Sequence, residues 1–242
     1  NDDERSHADL REFYWRRSFD DVALTVGAAK VFWGVAESNH LVDIINQSDF
    51  VENIDGEDKL GQPMVNLTFV KDWGTVDFFV LPYFRERTFA GKEGRLRTSL
   101  VVDTDNPTFE SSAEEQHVDF AARWSHYIGD WDIGLAHFSG TSREPTLILG
   151  LDGAGNPALI PYYQQIDQTS LDLQATKGDW LWKLEAISNH NSNGRYTAFV
   201  GGFERTLVGV YDSVHDLGLL LEYHFDDRGD LATSGFQNDV FA

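Results

Sequence analysis

The chain has 242 residues, a length at which one all-β barrel domain is common, and its 19 Lys and Arg against 40 Asp and Glu give a net charge of -21. This charge excludes the basic surface that nucleic-acid binding requires, so we expect no nucleic-acid partner. The lack of cysteine excludes disulfides and thiolate metal sites, and no apolar run reaches the roughly 18 residues of a membrane-spanning helix.

Ten short segments rich in β-branched and aromatic residues predict β-strands. Each is about as long as a tilted strand must be to cross a bilayer. In chain order they lie at residues 9–18, 21–35, 64–71, 75–88, 117–128, 131–140, 165–176, 180–188, 196–207 and 217–225.

Spacers of two lengths alternate between these segments. The short ones carry the Asp or Gly typical of tight turns, at residues 18–21, 71–74, 129–130, 176–179 and, more loosely, 211–216. The long polar ones lie at 37–63, 91–116, 139–163, 188–195 and 226–239. Short turns at one end and long loops at the other are typical of bacterial outer-membrane barrels.

Alternation with a period of two gives most segments one apolar face and one charged or small-residue face. A soluble antiparallel sandwich alternates in the same way. The alternative is therefore a soluble or periplasmic β-sandwich that binds carbohydrate through exposed aromatics such as Trp124, Trp131 and Trp182.

Two features favour the barrel. Aromatic residues gather beside the short turns, where a membrane-interface girdle would lie: Trp15, Phe19, Trp73, Trp131, Trp180 and Tyr211. Charged residues occupy the other face, which a dry core would not solvate but a wet lumen would. The candidate pore-lining residues are Asp77, Arg85, Arg87, Asp119, Arg123, Asp132, Lys183, Glu185 and Glu222.

Residues 38–50 contain the one helix-like stretch, with an apolar side formed by Leu41, Val42, Ile44 and Ile45. In a barrel, such a segment either folds inward and narrows the lumen or rests on the rim. A constriction also needs opposing charges across the lumen. The sequence offers the cations Arg85, Arg87, Arg95 and Arg97 against Asp43, Asp49 and Glu52.

Catalytic and metal-binding patterns are weak. Asp103, Asp105 and Asn106 resemble calcium ligands, but Pro107 interrupts the spacing of an EF-hand, which favours a solvated loop. The eight His residues lack helical metal-binding spacing. Ser125 and the adjacent His126 face opposite sides of a strand, which is the wrong geometry for a hydrolase. We therefore expect no enzyme activity, no metal site and no cofactor.

Four motifs carry a resemblance to a known group of proteins: Lys30–Glu37, Leu41–Asn46, Gly61–Met64 and Val80–Arg87. In these motifs the chain resembles an uncharacterised group of porin-like outer-membrane proteins of Gram-negative bacteria, in which a strand ending in Trp-Gly leads into a Leu-Val-Asp-Ile-Ile-Asn type of segment. The resemblance implies an antiparallel up-and-down transmembrane β-barrel in the outer membrane. It carries no substrate and no site residue across.

The expected function is a porin-like channel for passive diffusion of small hydrophilic solutes. Its partners would be outer-membrane lipid and lipopolysaccharide, and a homo-oligomer is a further possibility, since porin-like folds are often trimers. We expect residues 1–242 to form one barrel domain. The first strand is predicted to start, and the last complete strand to end, on the long-loop side, and the last residues are predicted to open another strand. This favours a portion of a larger barrel over a complete ten-stranded one.

Overall fold

The computed structural model describes residues 9–53, 55–94, 97–210, 213–229 and 236–242. Arg95 and Tyr211, which the sequence placed in a constriction and in an aromatic girdle, lie outside these ranges. Within them the chain is built from β-strands, and none of these residues is in an α-helix. None forms a helix that is long and apolar enough to cross a bilayer.

The strands are numbered in chain order. They are β1 (Phe13–Phe19), β2 (Val22–Ala29), β3 (Gln62–Lys71), β4 (Gly74–Leu81), β5 (Thr108–Phe109), β6 (Asp119–Ile128), β7 (Trp131–Thr141), β8 (Thr146–Leu151), β9 (Pro157–Tyr163), β10 (Gln165–Lys177), β11 (Trp180–Asn191), β12 (Gly194–Leu207), β13 (Leu217–Asp226) and β14 (Asn238–Phe241).

Eleven of these strands form one antiparallel up-and-down sheet, in the order β1-β2-β3-β4-β6-β7-β10-β11-β12-β13-β14. The all-β antiparallel fold class is confirmed. The strands β5, β9 and β8 form a small separate sheet within the loops. In the part of the chain that the structure describes, β1 and β14 pair on one side only, so the large sheet has two open edges.

The ten predicted strands are all present, with shifted ends. The segments predicted at 21–35 and 75–88 leave the sheet early, at Ala29 and Leu81. Pro82, which follows Leu81, has no N–H for a ladder hydrogen bond. The strand predicted to open near the last residues is confirmed as β14, whereas β5, β8 and β9 lie in segments predicted as loops.

The two ends of the sheet differ as predicted, with one exception. Two-residue turns join β1 to β2, β3 to β4, β6 to β7 and β10 to β11, and Gly129 and Gly178 supply the left-handed backbone in two of them. The long loop predicted at 188–195 is wrong. There, β11 and β12 extend into a two-residue turn, in which Asn191 Oδ1 accepts the N–H of Asn193 (2.9 Å).

The 32 residues between β2 and β3, numbers 30–61, cover the polar face of the sheet, and we call them the insert. The helix predicted over 38–50 does not form: the segment consists of turns and extended backbone. The N–H groups of Ser38 and Val42 donate to Glu222 and Glu185 of the sheet, and that of Asp43 donates to the carbonyl of His40, three residues earlier, so no run of bonds to carbonyls four residues earlier develops. Of the two placements considered, the inward one is observed.

The sheet curves around the insert. Glu37, eight residues after Ala29, donates its N–H to Glu222 on β13 (2.9 Å). Eight extended residues span at most about 28 Å, whereas the eight strand steps from β2 to β13 would cover about 38 Å in a flat sheet. Strand side chains stand roughly perpendicular to a sheet, so the length of the Glu222 side chain does not shorten the distance across the strands. The insert therefore lies on the concave side.

The two faces of the sheet are inverted relative to a soluble protein. The concave face holds the buried core, in which Trp33, Val42 and Ile45 of the insert pack against small and apolar residues such as Ala121 and Phe138. The convex face is apolar, and none of the described residues covers it. Its exposed residues include Val26, Val65, Phe78, Phe120, Leu135, Trp182, Leu219, Leu221 and Phe225.

Candidate functional site: the insert, the concave face and the cavity between them

Two carboxylates on the sheet hold the insert through consecutive backbone N–H groups. Glu185 Oε1 accepts the N–H groups of Val35 (2.7 Å) and Ala36 (2.9 Å). Glu222 accepts those of Glu37 (2.9 Å) and Ser38 (2.9 Å). Both carboxylates are 0% exposed, and hydrogen bonds to charged acceptors are the stronger kind. We call this arrangement the carboxylate clamp; it ties the insert to β11 and β13.

Gly34 lets the chain approach the clamp closely. Its φ of +142° is a backbone conformation that L side chains rarely adopt, and a Cβ built there would lie 2.8 Å from Glu185 Oε1. A residue with a side chain would therefore be strained and would push against the buried carboxylate. Glycine at this position brings the N–H groups of the next residues within reach of Glu185.

A hydroxyl and an imidazole extend the clamp. Ser38 Oγ donates a short hydrogen bond to Glu222 and lies 2.8 Å from His224 Nε2. Because the hydroxyl proton lies toward the carboxylate, the His224 nitrogen donates to Ser38 Oγ. These hydrogen bonds anchor the insert to β13.

A second set of ion pairs fixes the other half of the concave face. Arg143 Nη1 donates to Asp119 Oδ2 (2.8 Å), and Arg143 Nε donates to the carbonyl of Ile45 in the insert (3.2 Å). Asp119 also accepts the N–H of Thr141 (3.0 Å). Burial lowers the pKa of Arg143, and the Asp119 charge opposes this. Arg143 thus connects the wall to the insert.

Polar side chains also organise the insert from within. Asn46 accepts the N–H of Val31 (2.8 Å) and donates to the carbonyls of Ala29 (2.9 Å) and Leu60 (2.8 Å), which fixes both ends of the insert together. Asp43 accepts the N–H of Trp33 (3.2 Å) and pairs with Lys59 (3.2 Å). Burial raises the pKa of Asp43, and the Lys59 charge opposes this.

His40 lies beside the Glu185 carboxylate of the clamp. Its Nδ1 lies 3.8 Å from Glu185 Oε1, and its Nε2 lies 3.3 Å from Glu57. The interaction with the Glu185 carboxylate raises the pKa of His40, burial lowers it, and the charge of Glu57 raises it further. The net shift is upward, so the protonated imidazole is favoured beside the clamp.

Of the proposed opposing charges, the acidic residues belong to the insert, and Arg85 and Arg87 donate hydrogen bonds to it. Arg87 packs 4.6 Å from the ring of Phe50 and donates from Nε to Gln47 (3.3 Å). Arg85 pairs with Asp9 (2.8 Å). Burial lowers the pKa of Arg87, and the charge of Glu144 opposes this.

Of the acidic residues predicted opposite them, Asp49 accepts the Thr88 hydroxyl (2.7 Å) and lies 3.6 Å from Arg11. Glu52 lies 3.7 Å from the same arginine. Arg97 donates to the carbonyl oxygens of Thr98 and Ser99 in its own exposed loop. The arginine that faces the insert side chains is therefore Arg87.

A cavity of about 340 Å³ remains between the insert and the wall formed by β10 to β13. Gln168, Asn189, Tyr196 and His224 line it from the wall, and Arg87 and Arg143 line it from the loop end. Arg143 Nη2 and Asn189 Oδ1 have no hydrogen-bond partner among the described residues, although both side chains are buried. Buried polar atoms of this kind favour a hydrophilic guest.

The predicted pore-lining residues on the strands lie on the concave face. Glu185, Glu222 and Asp119 are fully buried beneath the insert. Arg123 pairs with Asp172, and Lys183 pairs with Glu37 (2.5 Å) and with Glu204. Asp77 accepts from Asn66 and Thr68, and Asp132 lies beside the turn after β6. Arg85 and Arg87 follow β4 at the loop end. That these residues line a pore stays a prediction.

Several functional residues escaped sequence reasoning. Ser38, Asn46, Lys59, Arg143 and His224 hold the insert, yet in the sequence they are isolated polar residues in loops or on a strand. The signal was indirect. Carboxylates such as Glu185 on the polar face require partners when they are buried, and the apolar side at residues 41–45 marked a segment able to bury them.

The acidic loop near Asp103 forms no metal site within the described ranges. Asp103 accepts from the Asn106 side chain (2.9 Å) and from the N–H of Asp105 (3.2 Å). No group of three or more potential metal ligands occurs among the described residues.

Comparisons with known proteins add little. No protein-family model matches the chain, and no curated protein matches it. A solved structure of a porin, refined at 1.8 Å resolution, is 12% identical, with 91% of this chain and 76% of the porin chain covered at a TM-score of 0.34. Because the score is this low, the fold assignment rests on the strand order and the register.

Proposed function

We propose that the chain forms a wall of an outer-membrane β-barrel channel of the porin type, through which small hydrophilic solutes diffuse passively. The inverted arrangement of the two faces carries this proposal. On the convex face Phe120 is 55% exposed and Leu135 is 48% exposed, whereas the carboxylates of Glu185 and Glu222 on the concave face are buried. Lipid is the medium that favours an exposed apolar band around a polar interior.

The aromatic residues beside the tight turns support the same orientation. Phe19, Trp73 and Trp131 are each between 43% and 58% exposed at the turn end of the sheet, whereas Trp15, which the sequence also placed there, lies further along β1, opposite Val26. Trp180 and Trp182 stack on each other (5.8 Å between ring centroids) at the same end. Amphipathic rings at one level are typical of a membrane interface. Outer-membrane lipid and lipopolysaccharide are then the partners of the convex face.

The packing of the two sheets does not support the alternative of a soluble carbohydrate-binding sandwich. A sandwich buries the apolar face of one sheet against a second sheet, but here the small sheet of β5, β8 and β9 belongs to the loop end, and no part of the described chain covers the convex face. Trp182, one of its proposed stacking platforms, belongs to a continuous apolar band.

Two measurements test the proposal. The protein is expected to need detergent for solubility and to migrate faster on a gel before heating than after it. In a planar bilayer it is expected to give discrete conductance steps. Solubility without detergent would overturn the membrane assignment. Detergent dependence without conductance would leave a structural or adhesive barrel and overturn the channel.

A further inference from the structure

The cavity is of a size that holds one small solute. Its volume of about 340 Å³ falls at the lower end of the range of small-molecule sites, which begins at about 300 Å³. A solute of monosaccharide size that crosses between the insert and β10 to β13 therefore contacts the lining side chains directly.

Most acidic groups on the lining have partners. Asp43 pairs with Lys59 (3.2 Å), Glu57 with His40 (3.3 Å), and Asp226 with Arg228 (2.6 Å). Asp55 accepts the Asn53 amide (2.5 Å) and the N–H of Glu57 (3.0 Å). A carboxylate that is already paired attracts a passing cation weakly.

Two arginines on the lining, in contrast, keep unpaired donors. Arg143 is 6% exposed, and its Nη2 has no hydrogen-bond partner, while Nε and Nη1 bind Ile45 and Asp119. Arg87 donates only from Nε among its side-chain nitrogens, to Gln47, and no carboxylate of the described residues lies within 4 Å of it. A guanidinium fork with free donors matches the geometry of a carboxylate.

The two arginines bind neighbouring positions of the insert. Arg143 donates to the carbonyl of Ile45 and Arg87 donates to the side chain of Gln47, and the Cα atoms of these two residues are at most about 7 Å apart. Both arginines line the same cavity. Glu144 is exposed on the same lining, and its charge acts on Arg87. A solute oxyanion between the two arginines accepts hydrogen bonds from their unpaired donors. The negative charge of Glu144 weakens the binding of this oxyanion.

We propose that this cavity is a selectivity site for small solutes that carry a carboxylate, with Arg87 and Arg143 as the donors that bind the carboxylate. This inference rests on the proposed channel function. The site selects by the charge and the planar shape of the oxyanion, because the guanidinium donors are fixed by the insert and by Asp119 before the solute arrives.

The experiment compares three probes of matched size and different charge: D-glucuronate, D-glucose and D-glucosamine. Each labelled probe is loaded into phosphatidylcholine vesicles that contain the protein, and its efflux is followed in one buffered salt solution. Glucuronate is expected to leave about tenfold faster than glucosamine, with glucose between them, since one charge-assisted hydrogen bond accounts for a difference of this order.

Three variants locate the effect. Arg87→Gln and Arg143→Lys are expected to remove the preference for glucuronate over glucose; the lysine keeps a bond to Asp119 but has no second amino group. Glu144→Gln is expected to increase the preference. Heat-modifiable migration on a gel, compared with that of the unchanged protein, shows that each variant is folded.

The outcomes separate the two proposals. Glucose efflux without a preference for glucuronate, or with faster glucosamine efflux, would overturn the selectivity site and leave the channel intact. No efflux of glucose would overturn the channel itself. A glucuronate preference that survives both Arg87→Gln and Arg143→Lys would also overturn the site assigned here.

Discussion

Arg123 on β6 and Asp172 on β10 form a two-pronged ion pair across β7, with Nη1 to Oδ1 at 2.6 Å and Nη2 to Oδ2 at 2.7 Å. The strand between them carries Gly134 at the crossing point, opposite both Ser125 and Asp172 in the register. The Arg123 guanidinium also lies 5.3 Å from the ring of Trp33 in the insert. Because Gly134 has no side chain, Arg123 on β6 and Asp172 on β10, the two strands that flank β7, form an ion pair beneath the insert.

Gly134→Ala is expected to destabilise the protein by about 1–3 kcal/mol, the usual cost of overpacking. A Cβ at this position would overlap the Arg123 guanidinium and the Asp172 carboxylate and force the pair apart. Urea unfolding from phospholipid vesicles measures the loss. Gly218→Ala is the control, because a Cβ there meets no atom within 4 Å. Equal stability of the two variants would contradict the role of Gly134.

Glu185→Gln is expected to loosen the carboxylate clamp. A neutral amide accepts weaker hydrogen bonds than a carboxylate and turns an N–H group toward the insert, so the bonds to Val35, Ala36 and Val42 weaken. Backbone hydrogen exchange of residues 35–42 is expected to become about tenfold faster, which corresponds to a loss of roughly 1.4 kcal/mol. The exposed loop residue Glu93 provides the control Glu93→Gln. Unchanged exchange in the insert would refute the clamp.

A carboxyl pair at the loop end predicts a pH dependence. Burial, a hydrogen bond with Glu115 and the charge of that residue together raise the pKa of Glu86 from its usual value of 4.5 to about 7. The folded protein then binds more protons than the unfolded chain between these values, so stability falls as pH rises from about 4.5 to 7. Glu86→Gln is expected to flatten this part of the profile, as followed by thermal unfolding between pH 4 and 8. A profile that keeps its full slope in this variant would assign the effect to another group.

A charge on the convex face tests what covers it. Leu135 lies in the middle of β7, and Leu135→Arg is expected to cost about 2–4 kcal/mol of folding free energy in vesicles if the residue meets the bilayer centre. His126→Arg places the same charge near the tight turn after β6, where the cost is about 0–1 kcal/mol. Equal, small costs at both depths would speak against lipid contact.

The sequence by itself determined the strands and their facing. The period of two in segments such as Trp180–Asn191 fixes which side chains share a face, because neighbouring residues of a strand point to opposite sides. The tight turns with Asp and Gly set the antiparallel order, since such turns join adjacent strands. The alternation predicts that Glu185 and Glu222 share the polar face, and both are buried on that face in the structure.

The tertiary structure alone decided what these carboxylates do. Residues 35–38 are about 150 and 185 positions from Glu185 and Glu222, and no local pattern encodes contacts at such separations. For the same reason the helical periodicity of residues 38–50 gave a wrong prediction. The apolar side of this segment packs on the core, but the N–H group of Val42 donates to the Glu185 carboxylate on the sheet instead of to a backbone carbonyl. Hydrogen bonds to buried charges outweigh a weak local propensity, and these charges converge only when the sheet curves.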